Sequence, residues 1–338
     1  MSYRLCVIPG DGIGPEVVPV AVRALQVLLP DLQVEHAEAG WACFQRCGQA
    51  VPEATLERMR VCGAGLFGAV SSPSQPVAGY RSAILTLRQT LGLNVNLRPV
   101  RSWPGVSPRD DVDLLILREN SEGLYSGPER MLDSGHAVAE RHITASASEA
   151  LAQRAVDVAR MRGAERITLV HKANVLPLTC GLFRDRCRVV LAAAGLEDQV
   201  DESLVDVAAL QLVAEPERFD LLLTTNLFGD ILSDLACHWS GGLGMAPSLN
   251  WGQSIALAEP VHGSAPDIAG SGRANPLAAV LSAGLLLRYH WRQPALADQL
   301  EAAVGRVLAL HAGKDLGTAT LQQLERSLLR QLTHPQSD

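Results

Sequence analysis

Thr224-Thr225-Asn226-Leu227-Phe228-Gly229-Asp230-Ile231-Leu232-Ser233-Asp234 follows the apolar run Leu221 to Leu223. The run reads as a buried strand that ends in Thr-Thr-Asn, and helical apolar spacing begins at once. Asp230 and Asp234 then stand at i and i+4, so both carboxylates lie on one helix face. Like charges at that spacing repel unless something positive sits between them. Oxygen ligands alone on one face suit Mg²⁺ or Mn²⁺. Two ordinary aspartates on a solvated face would give the same pattern, so the rest of the chain has to decide.

At 338 residues the chain is long enough for two domains or one large α/β unit. Hydrophobic residues make up 47% of it and aromatic ones only 4%, so its core must be mostly aliphatic. A net charge of −7 argues against a nucleic-acid or anionic-membrane surface. No apolar run reaches the roughly 18 residues of a membrane span, and Met1-Ser2-Tyr3-Arg4 leads into a strand without a signal-peptide layout. Seven cysteines without paired metal spacing read as reduced thiols of a cytoplasmic protein.

Outward from the opening stretch, strands are expected at Leu5–Ile8, Val34–Ala39, Gly65–Val70, Leu114–Leu117 and Ile167–Val170. Helices are expected at Val17–Leu29, Glu53–Val61, Ser82–Leu91, Ala147–Arg162 and Leu277–Tyr289. After the first strand, Gly10-Asp11-Gly12-Ile13-Gly14-Pro15-Glu16 looks like a phosphate-binding turn, but the glycines miss G-x-G-x-x-G spacing, so a tight turn fits as well. Arg88, Arg98 and Arg118 each fall at or near the end of an element. Such a trio fits either surface ion pairs or a substrate with two or three carboxylates. Lys172 at a strand terminus fits a general base or a solvated amine. Asp206 ends a short apolar segment. The loop Glu259 to Gly270 gathers backbone N–H groups, a hydroxyl and an acid, which suits phosphates and a ribose diol. The stretch Gly127 to Ala139 is polar and turn-rich, an excursion from the fold.

The Gly10–Glu16 run, Asn96-Leu97-Arg98-Pro99, Arg118-Glu119-Asn120-Ser121-Glu122-Gly123-Leu124-Tyr125, His171-Lys172-Ala173-Asn174-Val175, the opening stretch and His262-Gly263-Ser264-Ala265-Pro266-Asp267 occur together and in this order. The set resembles the β-decarboxylating dehydrogenases, the isocitrate/isopropylmalate family, over nearly the whole chain. The resemblance implies a two-domain α/β isopropylmalate-dehydrogenase-like fold, not a Rossmann fold, with the active site in the interdomain cleft. It implies a discontinuous large, cofactor-binding domain of residues 1–98 plus 256–338, and a small domain of 99–255 with an intersubunit arm at about 127–139. It also implies a homodimer, or a tetramer of such pairs, whose partner subunit contributes Lys172, Asn174 and Asp206 to each site.

By the same resemblance Asp206, Asp230 and Asp234 hold Mg²⁺ or Mn²⁺, Lys172 takes the proton of the substrate hydroxyl, and Tyr125 protonates the enol carbon. Arg88, Arg98 and Arg118 hold the carboxylate that is lost, Asn174 adds a substrate contact, and Ser72 and Leu85 face the variable arm. Glu259, His262, Gly263, Ser264, Ala265, Asp267 and Asn275 contact the cofactor. Asp267 implies NAD, because a 2′-phosphate would meet its like charge. Family members using NADP have lysine and tyrosine where this chain has Asp267-Ile268.

For the substrate, Ile84 and Leu85 resemble the isopropylmalate enzymes, whereas Gly79-Tyr80-Arg81-Ser82-Ala83-Ile84 and Val175 to Phe183 resemble the homoisocitrate branch. The expectation is homoisocitrate, within lysine biosynthesis through 2-aminoadipate, with isocitrate as a candidate side activity and 3-isopropylmalate as the alternative. Arg81 is a candidate partner for the distal carboxylate. Asn94-Val95 departs from the aromatic-Ala pair common in the family. A non-catalytic regulatory subunit would have lost part of the lysine, tyrosine and aspartate set, and here all of it is present.

Overall fold

The computed structural model describes residues 3–311 and 319–334; Met1 and Ser2, part of the N-terminal expectation above, lie outside them. In chain order the strands are β1 (Arg4–Gly10), β2 (Gln33–His36), β3 (Ala64–Ala69), β4 (Val95–Arg101), β5 (Asp113–Glu119), β6 (Glu129–Asp133), β7 (His136–Ala139), β8 (Ile167–His171), β9 (Val200–Leu204), β10 (Leu221–Thr224), β11 (Pro247–Trp251) and β12 (Ala256–Pro260). The chain separates into two compact units. The first takes the residues up to Leu93, Ser102–Asp110 and those from Ser240 onward; the second takes Asn94–Arg101 and Asp111–Trp239.

These bounds differ from the division drawn from the sequence, for a physical reason. Strand β4 pairs with β5 along its length, from Val95 opposite Glu119 to Arg101 opposite Asp113, so residues 94–98 belong with the second unit. Strand β11 pairs antiparallel with β12, and that hairpin holds residues 247–255 in the first unit. The glycines around this hairpin hid both strands from a reading based on apolar periodicity. The short helix Trp41–Cys47 escaped it too, because it shows only one buried side chain, Cys43.

In the first unit the strand order is β2-β1-β3-β12-β11, parallel except for β11. Helix Glu53–Cys62 packs on β1 and β3, and helix Gly14–Leu28 packs on Leu277–Leu285 and Leu321–Thr333. Ile8, Leu56, Met59, Phe67, Leu87 and Leu257 form part of a mostly aliphatic core there, in keeping with the low aromatic content. In the second unit the order is β4-β5-β10-β8-β9, with β5, β10, β8 and β9 parallel. Helix Asn226–Ala236 covers one face, and its Leu232 joins Leu114, Ile116 and Leu222 in one buried cluster. Strands β6 and β7 form an exposed antiparallel hairpin within the polar excursion. No helix among the described residues is long and apolar enough to cross a membrane.

Candidate active site

Parallel strands deliver their carboxyl ends to one edge of a sheet, where ligands collect. In the second unit, Arg118 on β5 stands level with Thr224 on β10, Val170 on β8 and Ser203 on β9. Just beyond that row come Lys172, Asp206 and the helix carrying Asp230 and Asp234. Residues far apart in the chain are thereby set along one edge by register alone.

Arg118 is 1% exposed, and such burial of a guanidinium requires that its donors be used. Its Nε and Nη2 both donate to Asn226 Oδ1, at 3.0 and 2.7 Å, and Nη1 donates to Asp230 Oδ1. Asn226 Nδ2 donates in turn to the Glu122 carbonyl at 2.9 Å, so one amide links Arg118 to the loop that carries Tyr125. The Tyr125 hydroxyl donates to Asp230 Oδ2, and the Arg118 guanidinium lies over the Tyr125 ring, 5.1 Å from its centroid. Arg98 donates from Nε to Asn96 Oδ1 at 2.7 Å and from Nη1 to Ser233 Oγ at 2.7 Å. It also meets Asp234 Oδ1 at 3.2 Å and Asp230 Oδ1 at 3.4 Å. The positive charge that the two aspartates need is therefore supplied by two arginines.

Burial pushes the Tyr125 phenol up, and the hydrogen bond to anionic Asp230 pushes it further. Burial also raises the Asp234 carboxyl, with Asp230 adding to the rise and Arg98 opposing it. The donor set fits a hard divalent cation: two carboxylates one helical turn apart, both partly open to solvent. Both oxygens of Asp230 already accept hydrogen bonds, so a cation would exchange with Arg118 and Tyr125. Among the described residues no three His, Cys, Asp or Glu side chains gather as a metal-holding group. Asp206 is ion-paired with Lys172 instead, and that ammonium holds its carboxyl below the usual range. The turn beyond β8 is built by His171, whose Nδ1 accepts from Ala173 N–H at 3.1 Å. The proton therefore sits on Nε2, which donates to Glu202 at 3.1 Å. Asn174 is exposed.

The first unit holds the other expected residues. Gly10 and Gly12 serve close packing: a Cβ on Gly12 would stand 2.0 Å from the Ser264 carbonyl oxygen, and one on Gly10 2.0 Å from that of Ala69. Ile13 N–H donates to Ser264 O, and Glu16 accepts from Gly270 N–H at 2.6 Å and Gly272 N–H at 3.2 Å. The loop of residues 10–16 is thus docked on the loop of residues 262–272. Arg88 and Glu259 form a buried pair at 2.7 Å, with Asn250 donating to the same Glu259 oxygen at 2.8 Å. The Arg88 Nε is buried without an acceptor. His262 is driven toward the neutral form by burial, and its Nε2 has no partner. Gly263 and Asp267 are exposed, Ala265 adopts φ 40°, and Asn275 Oδ1 caps helix Leu277–Leu285 through Leu277 N–H at 3.0 Å. Leu85 is half-buried and Ser72 exposed, while Arg81 bonds Gln89 at 3.0 Å. Val95, in the departing pair, is fully buried in β4.

Sequence reading missed Asn226, Ser233, Gly229 and Asp11 as site-builders, although three of them lie inside the opening stretch. Their partners are more than a hundred residues away, or, for Asp11, divided between the start of helix Trp41–Cys47 and the loop at Ser71. No local signal marks such contacts.

The isocitrate/isopropylmalate dehydrogenase family model matches residues 4–328. The chain is 50% identical over 309 residues to an isocitrate/homoisocitrate dehydrogenase of Thermus thermophilus, covering 91% of each. It is 46% identical to a 3-isopropylmalate dehydrogenase of Methanothermobacter thermautotrophicus, again over 91% of each. It superposes on the crystal structure of isocitrate dehydrogenase from Methylococcus capsulatus with a TM-score of 0.91 at 38% identity, covering 98% of this chain and 99% of that one.

Proposed function

The chain belongs to the isocitrate/isopropylmalate dehydrogenase family, β-decarboxylating dehydrogenases of hydroxy acids with an isopropylmalate-dehydrogenase-like fold, and from that premise we propose that it oxidatively decarboxylates homoisocitrate to 2-oxoadipate and CO₂, with NAD and Mg²⁺ or Mn²⁺. The observation that carries the reaction is the cluster of Arg98, Arg118, Tyr125, Asp230 and Asp234, which sets carboxylate-binding donors beside a phenolic acid and two metal-type oxygens. For the substrate, the higher identity to the isocitrate/homoisocitrate relative favours homoisocitrate. The apolar Leu85 favours 3-isopropylmalate as the second reading. Isocitrate stands as a side activity, and the pathway as lysine biosynthesis through 2-aminoadipate.

When bound, the cation supplies Lewis acidity at the substrate's hydroxyl and α-carboxylate, and NAD supplies the hydride acceptor. The chain's own groups then divide the work. Lys172 accepts the hydroxyl proton as general base. Arg88, Arg98 and Arg118 hold the carboxylate that departs, and the rigid fork of each fixes its plane. Tyr125, kept protonated by its raised phenol, donates its proton to the carbon left behind. Ser72, Leu85 and Asn174 complete the substrate contacts. Glu259, His262, Gly263, Ser264, Ala265, Asp267 and Asn275 line the cofactor position, with Asp267 taking the ribose hydroxyls.

Two copies of the chain would share each site. Helices Val205–Ala214 and Asn226–Ala236 pack on each other and expose Val207, Leu210, Val213, Ile231 and Leu235. Apolar side chains at helical spacing, on the helices that carry all three aspartates, support burial against a second copy. The hairpin β6–β7, with exposed Met131 and Leu132, would serve as the intersubunit arm. All seven cysteines are free thiols, which supports a cytoplasmic location. The test is kcat/KM for homoisocitrate, isocitrate and 3-isopropylmalate, side by side with NAD and Mg²⁺. Homoisocitrate should lead, and a lead for 3-isopropylmalate would overturn the substrate assignment.

A further inference from the structure

Residues 72–79 contain neither helix nor strand, yet both ends of the segment are tied to one point. Ser71 uses all three of its polar groups. Its N–H donates to Asp11 Oδ2 at 2.9 Å, its hydroxyl donates to Ser264 Oγ at 2.8 Å, and its carbonyl accepts the Tyr80 hydroxyl at 3.1 Å. Tyr80 N–H turns back to the Val77 carbonyl at 3.1 Å. The Tyr80 hydroxyl thereby closes residues 72–79 into a compact loop whose root is Ser71.

The root is shared with a neighbouring helix. Asp11 also accepts from Trp41 N–H at 2.7 Å and Ala42 N–H at 3.0 Å, the first turn of helix Trp41–Cys47. That helix offers Trp41 and Phe44, stacked with centroids 5.6 Å apart. The Tyr80 ring meets both of them edge-on, at 5.1 and 5.2 Å. Edge-to-face pairs of this kind fix a ring's orientation as well as burying it. Tyr80 is therefore held by its ring from one side and by its hydroxyl from the other. Helix Ala83–Thr90, which carries Leu85 and Arg88, begins three residues further on.

We propose that Tyr80 is a specificity-determining positioning residue: its hydroxyl closure on Ser71 and its seat between Trp41 and Phe44 set where the Ser72 loop stands, and hence which distal arm of the 2-hydroxy acid is accepted. The proposal rests on the assignment of Ser72 and Leu85 to the substrate's arm. Tyr80 touches none of the groups assigned to hydride transfer or proton transfer. Loosening the loop should alter selection of the arm and leave the reacting end unchanged. Burial pushes the Tyr80 phenol up, so it remains a donor at neutral pH.

The test uses the full-length protein as wild type, Tyr80→Phe and Trp41→Leu. Two readouts are taken: kcat/KM for homoisocitrate, isocitrate and 3-isopropylmalate, and amide hydrogen exchange of residues 72–79. Tyr80→Phe keeps the ring and removes only the closure. It should change the ratio between the two best substrates by about 3- to 10-fold, the worth of one neutral hydrogen bond. The change should fall on KM, with kcat within about 2-fold, and exchange of residues 72–79 should quicken. Trp41→Leu should move both readouts in the same direction. An equal loss on all three substrates, or wild-type ratios with wild-type exchange, would overturn the proposal. If the wild type turns over none of the three acids, the functional reading fails instead. The exchange measurement then decides alone, and unchanged exchange in Tyr80→Phe refutes the closure.

Discussion

Gly229 lies inside helix Asn226–Ala236, where alanine would ordinarily be better by about 1 kcal/mol. Here the sign should reverse. A Cβ at Gly229 would stand 2.6 Å from Arg118 Cγ and 2.7 Å from Arg118 Cβ, distances that real contacts do not reach. Those atoms are the root of the side chain, not a flexible tip, and the far end is pinned by Asn226 and Asp230. If the helix moves, overpacking costs about 1–3 kcal/mol, which cancels or exceeds the intrinsic gain. If Arg118 moves instead, it gives up charge-assisted bonds worth about 1.5–3 kcal/mol each, or about 10- to 100-fold in kcat/KM. Gly181 is the control: also helical and buried, it has nothing within 4 Å of its would-be Cβ. Gly229→Ala should lower both Tm and kcat/KM, while Gly181→Ala should hold or raise Tm and leave the kinetics alone. A Gly229→Ala enzyme with wild-type kcat/KM and unchanged or higher Tm would refute the close approach of this helix to Arg118.

Other consequences can be tested with simple variants. Asp206→Asn and Asp230→Asn should each be nearly inactive, yet after the two are mixed and allowed to exchange subunits about one quarter of wild-type activity should return, since half the dimers are mixed and one site in each is intact; no recovery despite proven exchange would mean that the three aspartates act within one chain. Lys172→Met and Tyr125→Phe should each lower turnover by about 10²- to 10⁴-fold at saturating metal, the scale of acid–base catalysis, and wild-type rates would remove those assignments. Asp267→Lys should relax the preference for NAD over NADP by admitting a 2′-phosphate, whereas a wild-type enzyme that already used NADP as well as NAD would refute the role given to Asp267.

The sequence alone was enough for the α/β class, most helix and strand positions, and the residue types of the site, because each is a local pattern. Apolar runs of strand length, helical spacing after Thr225, and two aspartates one turn apart need no knowledge of the rest of the chain. Tertiary structure decided what those residues do to one another. Asn226 and Arg118 lie 108 positions apart, and only the pairing of β5 with β10 brings them together. Glu259, expected at the cofactor, is also held as the buried partner of Arg88, 171 positions away. Gly229 looks like a helix weakness until Arg118 is seen to fill the space beside it. Asp11, read as part of a glycine turn, gathers the N–H groups of Trp41, Ala42 and Ser71 and so roots the loop that Tyr80 closes. Propensity and periodicity act over a few residues, whereas a buried charge must find its partner wherever the fold places one.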